Sequence, residues 1–124
     1  MLDDILQHAR EEAPNECCGL LVGRRGVVER SVRARNLQSS PTRYLIDPGD
    51  HFAAMRTARA EGRRVIGAYH SHPSGGPVPS ESDLAEATGG REFLYLIVSP
   101  AEAAGNRIRA YVLRDGKADF VDVV

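Results

Sequence analysis

The chain has 124 residues, of which 42% are hydrophobic, and a formal net charge of −1. This length suits one domain with an ordinary core, and the near-neutral charge gives no reason to expect nucleic acid or an anionic membrane as a partner. No apolar run approaches the roughly 18 residues that span a bilayer, and the acidic residues 3–4 near the start are unlike a secretory signal. We therefore expect residues 1–124 to form one domain without a membrane anchor.

The first third of the chain predicts a helix followed by a strand hairpin. Residues 2–13 predict an amphipathic helix, because apolar side chains recur at helical spacing. A short apolar strand over residues 17–22 follows, and a turn at residues 24–26 leads to a second strand over residues 27–34. Cys17 and Cys18 are adjacent on the first strand, where neighbouring side chains face opposite ways, so a disulfide between them would be strained. We expect reduced thiols and a cytoplasmic protein.

The rest of the chain predicts helices that alternate with strands. A third short strand is expected over residues 44–46, and Asp47 is expected to cap a helix that begins at Pro48 and runs to about residue 60. Another helix is expected from Ser80 to about residue 89. Four further strands are predicted over residues 64–70, 93–99, 107–113 and 118–123. This order indicates an α/β fold in which helices pack against a mixed sheet.

The most informative motif is the pair of histidines at the end of the strand over residues 64–70. His70 and His72 must face the same side of the sheet, because strand side chains alternate with period two. Asp83 lies eleven residues further on, beyond a loop rich in glycine and proline. Two imidazoles and one carboxylate predict a catalytic zinc site, since three protein ligands leave a tetrahedral ion one open position. We expect one Zn²⁺ per chain.

Two further residues are candidates for the chemistry of hydrolysis. Glu16 lies between the first helix and the first strand, where it could act as the general acid/base that moves the proton of the attacking water. Ser80 could donate its hydroxyl to the oxyanion that forms on the attacked carbonyl. Each has a simpler alternative: Glu16 could be a surface residue at a helix end, and Ser80 and Asp83 could only cap a helix.

Other polar residues are interpreted structurally. His8 and His51 are expected at the surface. The basic stretch between residues 24 and 35 is interpreted as the solvated edge of the sheet, with a docking patch for an acidic partner as the alternative. That edge could also pair two copies of the chain into a homodimer, and the oligomeric state stays open.

The sequence resembles the JAMM (MPN+) metalloprotease family, and in particular its compact bacterial members. The resemblance covers about residues 1–115 and includes the stretches at 14–21, 44–48 and 67–73. The residues of the signature are Glu16, His70-x-His72-Pro73 and Ser80-x-x-Asp83. The resemblance implies a three-layer α-β-α sandwich of the JAB1/MPN type, similar to cytidine deaminases. It also implies that His70, His72 and Asp83 bind zinc, that Glu16 is the general acid/base and that Ser80 stabilises the tetrahedral intermediate.

The resemblance also implies a substrate class. The compact bacterial members act on ubiquitin-like β-grasp sulfur carriers or modifiers and hydrolyse the bond after their C-terminal Gly-Gly. Two alternatives stay open: a RadC-like domain associated with DNA repair, and a non-catalytic module that binds a ubiquitin-like protein. A zinc deaminase is excluded, because its His-x-Glu and Pro-Cys-x-x-Cys motifs do not occur in the sequence.

Overall fold

A computed structural model describes residues 1–86, 93–114 and 117–121 of the protein. Within these residues, three α-helices and a short 3₁₀ helix (Ala104–Asn106) accompany a six-stranded sheet. The helices are α1 (Leu2–Glu12), α2 (Pro48–Ala60) and α3 (Glu81–Glu86). The strands are β1 (Cys18–Arg24), β2 (Val27–Ala34), β3 (Arg64–Ser71), β4 (Leu94–Val98), β5 (Ile108–Arg114) and β6 (Lys117–Val121).

The sheet is mixed, as the sequence predicted. Its strand order is β2-β1-β3-β4-β5-β6, and β3 pairs with β4 in parallel while the other neighbours are antiparallel. In the β1–β3 pair, Cys18 lies opposite His70. The start of β1 and the end of β3 therefore lie side by side, which places residues just before β1 next to residues just after β3.

Helices cover both faces of the sheet. On one face, Ile5 and Ala9 of α1 pack against a cluster that includes Leu21 and Tyr69. On the other face, Ala54 of α2 packs against strand residues of β1 and β3, and α3 packs against β4 and β5. Because strand residues alternate between faces, each strand contributes to both cores. The predicted α-β-α layering is confirmed.

Local sequence signals explain where α2 begins and how the hairpin turns. Asp47 Oδ1 accepts hydrogen bonds from the backbone N–H groups of Gly49 and Asp50 at 2.7 and 3.2 Å, and Pro48 occupies the first turn. The hairpin between β1 and β2 turns through Arg25 and Gly26, which both have positive φ angles. The predicted helix and turn are therefore confirmed.

Two sequence predictions are wrong. Residues 44–46 form no strand, and only an isolated bridge joins Ile46 to Asn36. The Asn36 side chain, which bonds to backbone groups of this segment, takes the place of a strand ladder. His8 is buried at 4% exposure, because its Nδ1 lies 2.7 Å from the hydroxyl of the buried Tyr69, so the polar ring is satisfied inside the core.

Several expectations lie partly outside the described residues. The predicted end of the third helix near residue 89 and the end of the last strand at residue 123 are in this group. Both cysteines are buried and unpaired, as predicted. Among the described residues, no helix combines the length and the apolar character needed to cross a bilayer.

The basic strand β2 lies at one edge of the sheet, as expected. Its arginines pair with acidic groups of the same chain: Arg30 bonds to Glu61, and Arg33 bonds to Asp4 and Glu11. These pairs attach α1 and the end of α2 to the edge strand, although exposed pairs contribute only about 0–1 kcal/mol each.

We predict that Gly19→Ala destabilises the protein, because a Cβ at this position would lie 2.2 Å from the ring of Tyr69. Overpacking of this kind costs about 1–3 kcal/mol. Chemical denaturation should show that loss in the free energy of unfolding. Gly105→Ala is the matched control, since no described atom lies within 4 Å of its Cβ position. Equal stability of the two variants would contradict the packing argument.

Candidate metal centre

The two histidines converge at the end of β3. His70 lies within the strand and His72 directly follows it, so both side chains face the same layer, as the period-two argument predicted. Their Nε2 atoms are 3.2 Å apart. The side chains are 2% and 13% exposed, which makes this a recessed site.

Asp83 joins the histidines from α3. Its Oδ2 atom lies 3.1 Å from the Nε2 atom of each histidine. The same oxygen accepts a hydrogen bond from the N–H of Ser80 at 2.9 Å, and Ser80 Oγ accepts one from the N–H of Asp83 at 3.1 Å. This reciprocal pair is a capping box at the start of α3. Ser80 and Asp83 therefore do cap α3, and the cap also aims the carboxylate at the histidines, so capping is compatible with the predicted ligand role.

The three donor atoms have the arrangement that a divalent cation requires. His72 Nδ1 is 2.9 Å from the carbonyl oxygen of Gly76, which can only accept, so Nδ1 carries the proton and Nε2 of the neutral ring carries a lone pair. That lone pair faces the Asp83 carboxylate, a repulsive contact unless a cation or a proton lies between them. Tetrahedral zinc with bonds of about 2.0–2.1 Å places its ligand atoms about 3.3 Å apart. The observed separations of 3.1–3.2 Å fit a zinc ion.

The charge of Asp83 is maintained despite its burial. Burial alone would raise the pKa of this carboxyl. In the metal-free site, a proton between this oxygen and the ring nitrogens of His70 and His72, together with the Ser80 N–H, outweighs burial and holds the pKa well below its usual range. The site therefore offers one anionic oxygen and two imidazole nitrogens, a ligand set typical of catalytic zinc.

Glu16 is the second carboxylate of the site, and its environment differs. Glu16 is only 4% exposed, and its Oε1 has no hydrogen-bond partner among the described residues. One of its oxygens and one nitrogen each of His70 and His72 lie within 4.8 Å of one another. Burial raises the pKa of Glu16 to about 7, although the nearby His72 opposes this shift. The alternative of a surface residue is wrong for Glu16.

This geometry leaves two chemical interpretations of Glu16. A buried carboxylate without a partner is costly, and such groups occur where they serve a ligand or a reaction. Glu16 could be a further metal ligand, or it could exchange a proton with a water at the site. Asp83 Oδ2 lies 3.1 Å from a nitrogen of each imidazole, whereas Glu16 Oε1 forms no hydrogen bond with any described residue, which favours Asp83 as the ligand and Glu16 as the proton carrier.

Ser80 is half-buried at the rim of the site. Its Oγ accepts the capping hydrogen bond from Asp83 and lies 3.1 Å from Ser82 Oγ. The hydroxyl proton of Ser80 can rotate, because the capping bond uses only a lone pair. It can therefore donate to Ser82 or to a bound carbonyl, as its predicted role requires.

Sequence reasoning missed two residues of the site. The ring of Tyr44 stacks on the ring of His70, with centroids 4.3 Å apart and an angle of 17° between the planes. Asn36 bonds to the backbone carbonyl of Glu16. Tyr44 lies in one of the stretches that carry the family resemblance, which was a signal of importance, but its apolar neighbours were interpreted as a strand. The sequence pattern around Asn36 offered no comparable signal.

Comparisons with known proteins show the family of the chain. The family described as prokaryotic homologs of the JAB domain matches residues 1–114. A probable TtuB-protein conjugate cleaving protease of Thermus thermophilus is 41% identical over 88 residues, which cover 70% of this chain and 59% of that protein. A CysO-cysteine peptidase of Mycobacterium tuberculosis is 30% identical over 118 residues, which cover 94% and 80%. The chain thus matches less than two thirds of the length of the Thermus relative.

Solved structures share the fold. Protein DSY2949 of Desulfitobacterium hafniense has a TM-score of 0.89 at 33% identity, covering 99% of this chain and 86% of that one. A JAB1/MPN domain protein of Archaeoglobus fulgidus has a TM-score of 0.63 at 24% identity over 98% and 86% of the two chains, which supports the fold alone. A structure described as JAMM, a metalloprotease-like zinc site in the proteasome and signalosome, has a TM-score of 0.60 at 26% identity over 99% and 90%.

We predict that Glu16→Gln stabilises the metal-free protein at alkaline pH. The folded-state pKa of about 7 lies above the ordinary value of 4.5, so the folded protein binds more protons than the unfolded protein between these values. The free energy of unfolding of the parent protein therefore falls as the pH rises from about 4.5 to about 7. Glu16→Gln has no carboxyl group at this position, so its stability does not fall in this way.

Denaturation at pH 8 should show a gain on the order of 1–3 kcal/mol, shrinking toward pH 5. Glu81→Gln, which changes an exposed carboxylate of α3, is the control and should show no such trend. A Glu16→Gln variant that is less stable than the parent at pH 8 would refute the buried, unpaired state of this carboxylate.

Proposed function

We propose, since the chain belongs to the family of prokaryotic homologues of the JAB domain, that it hydrolyses the bond after the C-terminal Gly-Gly of a ubiquitin-like sulfur carrier or modifier. The predicted family and the predicted enzyme class, a JAMM-type metalloprotease, are confirmed by relatives named protease and peptidase and by the JAMM neighbour. The identity of the metal, the roles of the residues and the substrate are the proposal.

One observation carries the proposal: the unpartnered carboxylate of Glu16 lies beside the donor atoms of His70, His72 and Asp83. We infer that the last three residues hold one zinc ion. When bound, zinc polarises a carbonyl oxygen and lowers the pKa of a coordinated water from about 15.7 toward 7. Glu16 then accepts a proton from the attacking water and delivers it to the leaving amine, for which a pKa near neutrality is well suited.

Ser80 completes the proposed chemistry. Its hydroxyl donates a hydrogen bond to the carbonyl oxygen as negative charge develops there, which lowers the barrier for attack. The capping bond to the N–H of Asp83 fixes the position of Ser80 Oγ relative to the carboxylate. Ser80 caps α3 next to the candidate ligand Asp83. Its hydroxyl would therefore lie beside a substrate carbonyl at the metal centre.

The recessed position of the site favours a thin substrate. The side chains of His70, His72 and Asp83 are 2%, 13% and 7% exposed, so a scissile carbonyl can reach them only if the flanking residues are small. A Gly-Gly tail meets this condition, and an extended tail can also add to a sheet edge as a further strand. The names of the relatives, which specify a TtuB-protein conjugate and CysO-cysteine, support a substrate of this kind.

The same observations rank the alternatives. A non-catalytic binding module would have no use for the buried, unpartnered carboxylate of Glu16, whereas a hydrolase would. The relatives named protease and peptidase favour hydrolysis over a RadC-like role in DNA repair. The proposal further comprises one catalytic domain over residues 1–124, a cytoplasmic location and no nucleic-acid partner. The oligomeric state, including a homodimer through the β2 edge, stays open.

We predict that the protein cleaves carrier–cysteine or carrier–lysine adducts made from the ubiquitin-like proteins of the same cell, and that a chelator abolishes cleavage. Glu16→Gln should lower turnover by at least 100-fold, the lower range for general acid–base catalysis, while zinc stays bound. Mass spectrometry of the released products and metal analysis measure both. Cleavage that persists after complete metal removal would refute the mechanism. Parallel loss of zinc and activity in Glu16→Gln would make Glu16 a ligand.

We predict that Asp83→Asn weakens zinc binding strongly but preserves α3. The amide oxygen can still accept the hydrogen bond from the Ser80 N–H, whereas the anionic charge that attracts zinc is lost. His72→Ala should lose zinc as well. Glu81→Gln on the same helix should retain it, because that carboxylate is exposed. Full zinc occupancy in Asp83→Asn, measured by metal analysis after dialysis, would remove Asp83 from the ligand set.

A further inference from the structure

The segment of residues 36–46, which connects β2 to α2, is held by a few backbone hydrogen bonds, such as that from the Leu37 N–H to the Leu45 carbonyl, and by one side chain. Asn36 uses all four hydrogen-bonding positions of its amide. Its Nδ2 donates to the carbonyl oxygens of Glu16 and Arg43, both at 3.0 Å. Its Oδ1 accepts from the N–H groups of Gln38 at 2.9 Å and Leu45 at 3.0 Å. A half-buried amide with every position satisfied fixes the backbone around it.

Two of these bonds flank Tyr44. The bonded carbonyl of Arg43 precedes Tyr44 and the bonded N–H of Leu45 follows it, so Asn36 determines the position of the Tyr44 backbone. The Tyr44 ring in turn stacks on the ring of His70, with centroids 4.3 Å apart. The amide of Asn36 therefore acts on one candidate zinc ligand through a single intervening residue.

The two histidines are oriented in different ways. His72 donates from Nδ1 to the carbonyl oxygen of Gly76, the usual means of fixing a ligating imidazole. His70 has no hydrogen bond through Nδ1 to any described residue, and Tyr44 covers the face of its ring instead. The stacked ring therefore takes over, for His70, the orienting function that a hydrogen bond performs for His72.

Asn36 also fixes Glu16. The carbonyl oxygen of Glu16 accepts from Asn36, and the N–H of Glu16 donates to the carbonyl oxygen of Ser40 at 2.8 Å. Both backbone polar groups of the candidate proton carrier are thus bound to the 36–46 segment. A carboxylate without a partner of its own can keep one position only if its backbone is fixed.

We propose that Asn36 is a positioning residue, which locks the 36–46 segment so that Glu16 and the Tyr44-stacked His70 both face the metal centre. Its amide bonds only to backbone groups among the described residues and not to the candidate ligand atoms. The part of this inference that concerns catalysis rests on the proposed hydrolysis, and the part that concerns metal affinity rests only on the proposed zinc site. The two parts are therefore tested separately.

The first test is the zinc affinity of the whole chain, measured by competition with a chromogenic chelator. Asn36→Ala and Tyr44→Leu should each weaken zinc binding about tenfold, as loss of a group that orients a ligand does. The double variant should be no weaker than the weaker single variant, because both changes release His70. Tyr44→Phe keeps the ring and should bind zinc as the parent does. Unchanged zinc affinity in Asn36→Ala would overturn the proposal. So would a double variant whose loss of affinity is the product of the two tenfold losses in the single variants.

Asn36→Asp provides a second variant if Asn36→Ala fails to fold. It can still accept from Gln38 and Leu45 but cannot donate to Glu16 and Arg43. Its added negative charge would by itself strengthen the binding of a cation. Gln38→Glu adds the same charge on the same segment without removing these hydrogen bonds. Weaker zinc binding in Asn36→Asp than in Gln38→Glu therefore supports positioning, and equal or stronger binding than in Gln38→Glu overturns it.

The second test is turnover of a carrier adduct by zinc-saturated protein. Asn36→Ala should lower kcat about 10- to 100-fold and leave KM within about twofold, because Glu16 is displaced while substrate contacts persist. Gln38→Ala is the matched control: its side chain lies on the same segment, is exposed and forms no hydrogen bond with described residues. A rise in KM alone, or equal losses in the control, would contradict positioning. If the parent cleaves no adduct, the proposed function fails, and the affinity test still decides the role of Asn36.

Discussion

The site depends on the convergence of two imidazole nitrogens and one carboxylate oxygen within 3.2 Å of one another. His72 Nδ1 donates its proton to the carbonyl oxygen of Gly76, so the lone pair on His72 Nε2 faces the Asp83 carboxylate. Only a cation or a proton between these two atoms relieves their repulsion. The local structure serves this convergence. Strand alternation aligns the histidines, and the capping box of α3 brings Asp83 back to them.

The two carboxylates of the site differ in charge because their surroundings differ. Asp83 contacts both histidines and a backbone N–H, which keep its pKa low, whereas Glu16 Oε1 has no hydrogen-bond partner in the described part of the chain and burial raises the pKa of Glu16 to about 7. One carboxylate is therefore suited to hold a cation and the other to exchange a proton at neutral pH. Pairs of titratable groups with pKa values pushed apart in this way are typical of acid–base catalysis. Burying Glu16 costs local stability, and the proposed role as proton carrier would explain why the chain tolerates that cost.

Elements with a short-range physical signal were predictable from sequence. The helix at Pro48 has a capping Asp47 and a proline at its first position, and the structure places it over Pro48–Ala60. The orientation of His70 and His72 followed from period two alone. His8 was misassigned, because helical spacing places a residue on a face but does not reveal that a buried Tyr69 on a distant strand offers a hydrogen bond. A buried polar pair is a property of two segments, and a periodicity describes only one.

The segment from Asn36 to Ile46 shows the same limit at the site itself. Its apolar residues 44–46 suggested a strand. That interpretation assumes that a neighbouring strand bonds to the backbone N–H and C=O groups, which a hydrophobic pattern does not show. Here the Asn36 amide bonds to the Arg43 carbonyl and the Leu45 N–H, and one isolated bridge supplies backbone bonds beside it. The chain can therefore follow a course that stacks Tyr44 on His70. An irregular backbone beside a recessed site must have its polar groups bonded by something other than a ladder. The residue that supplies those bonds therefore controls the geometry of the site without taking part in the chemistry, and only the folded arrangement reveals it.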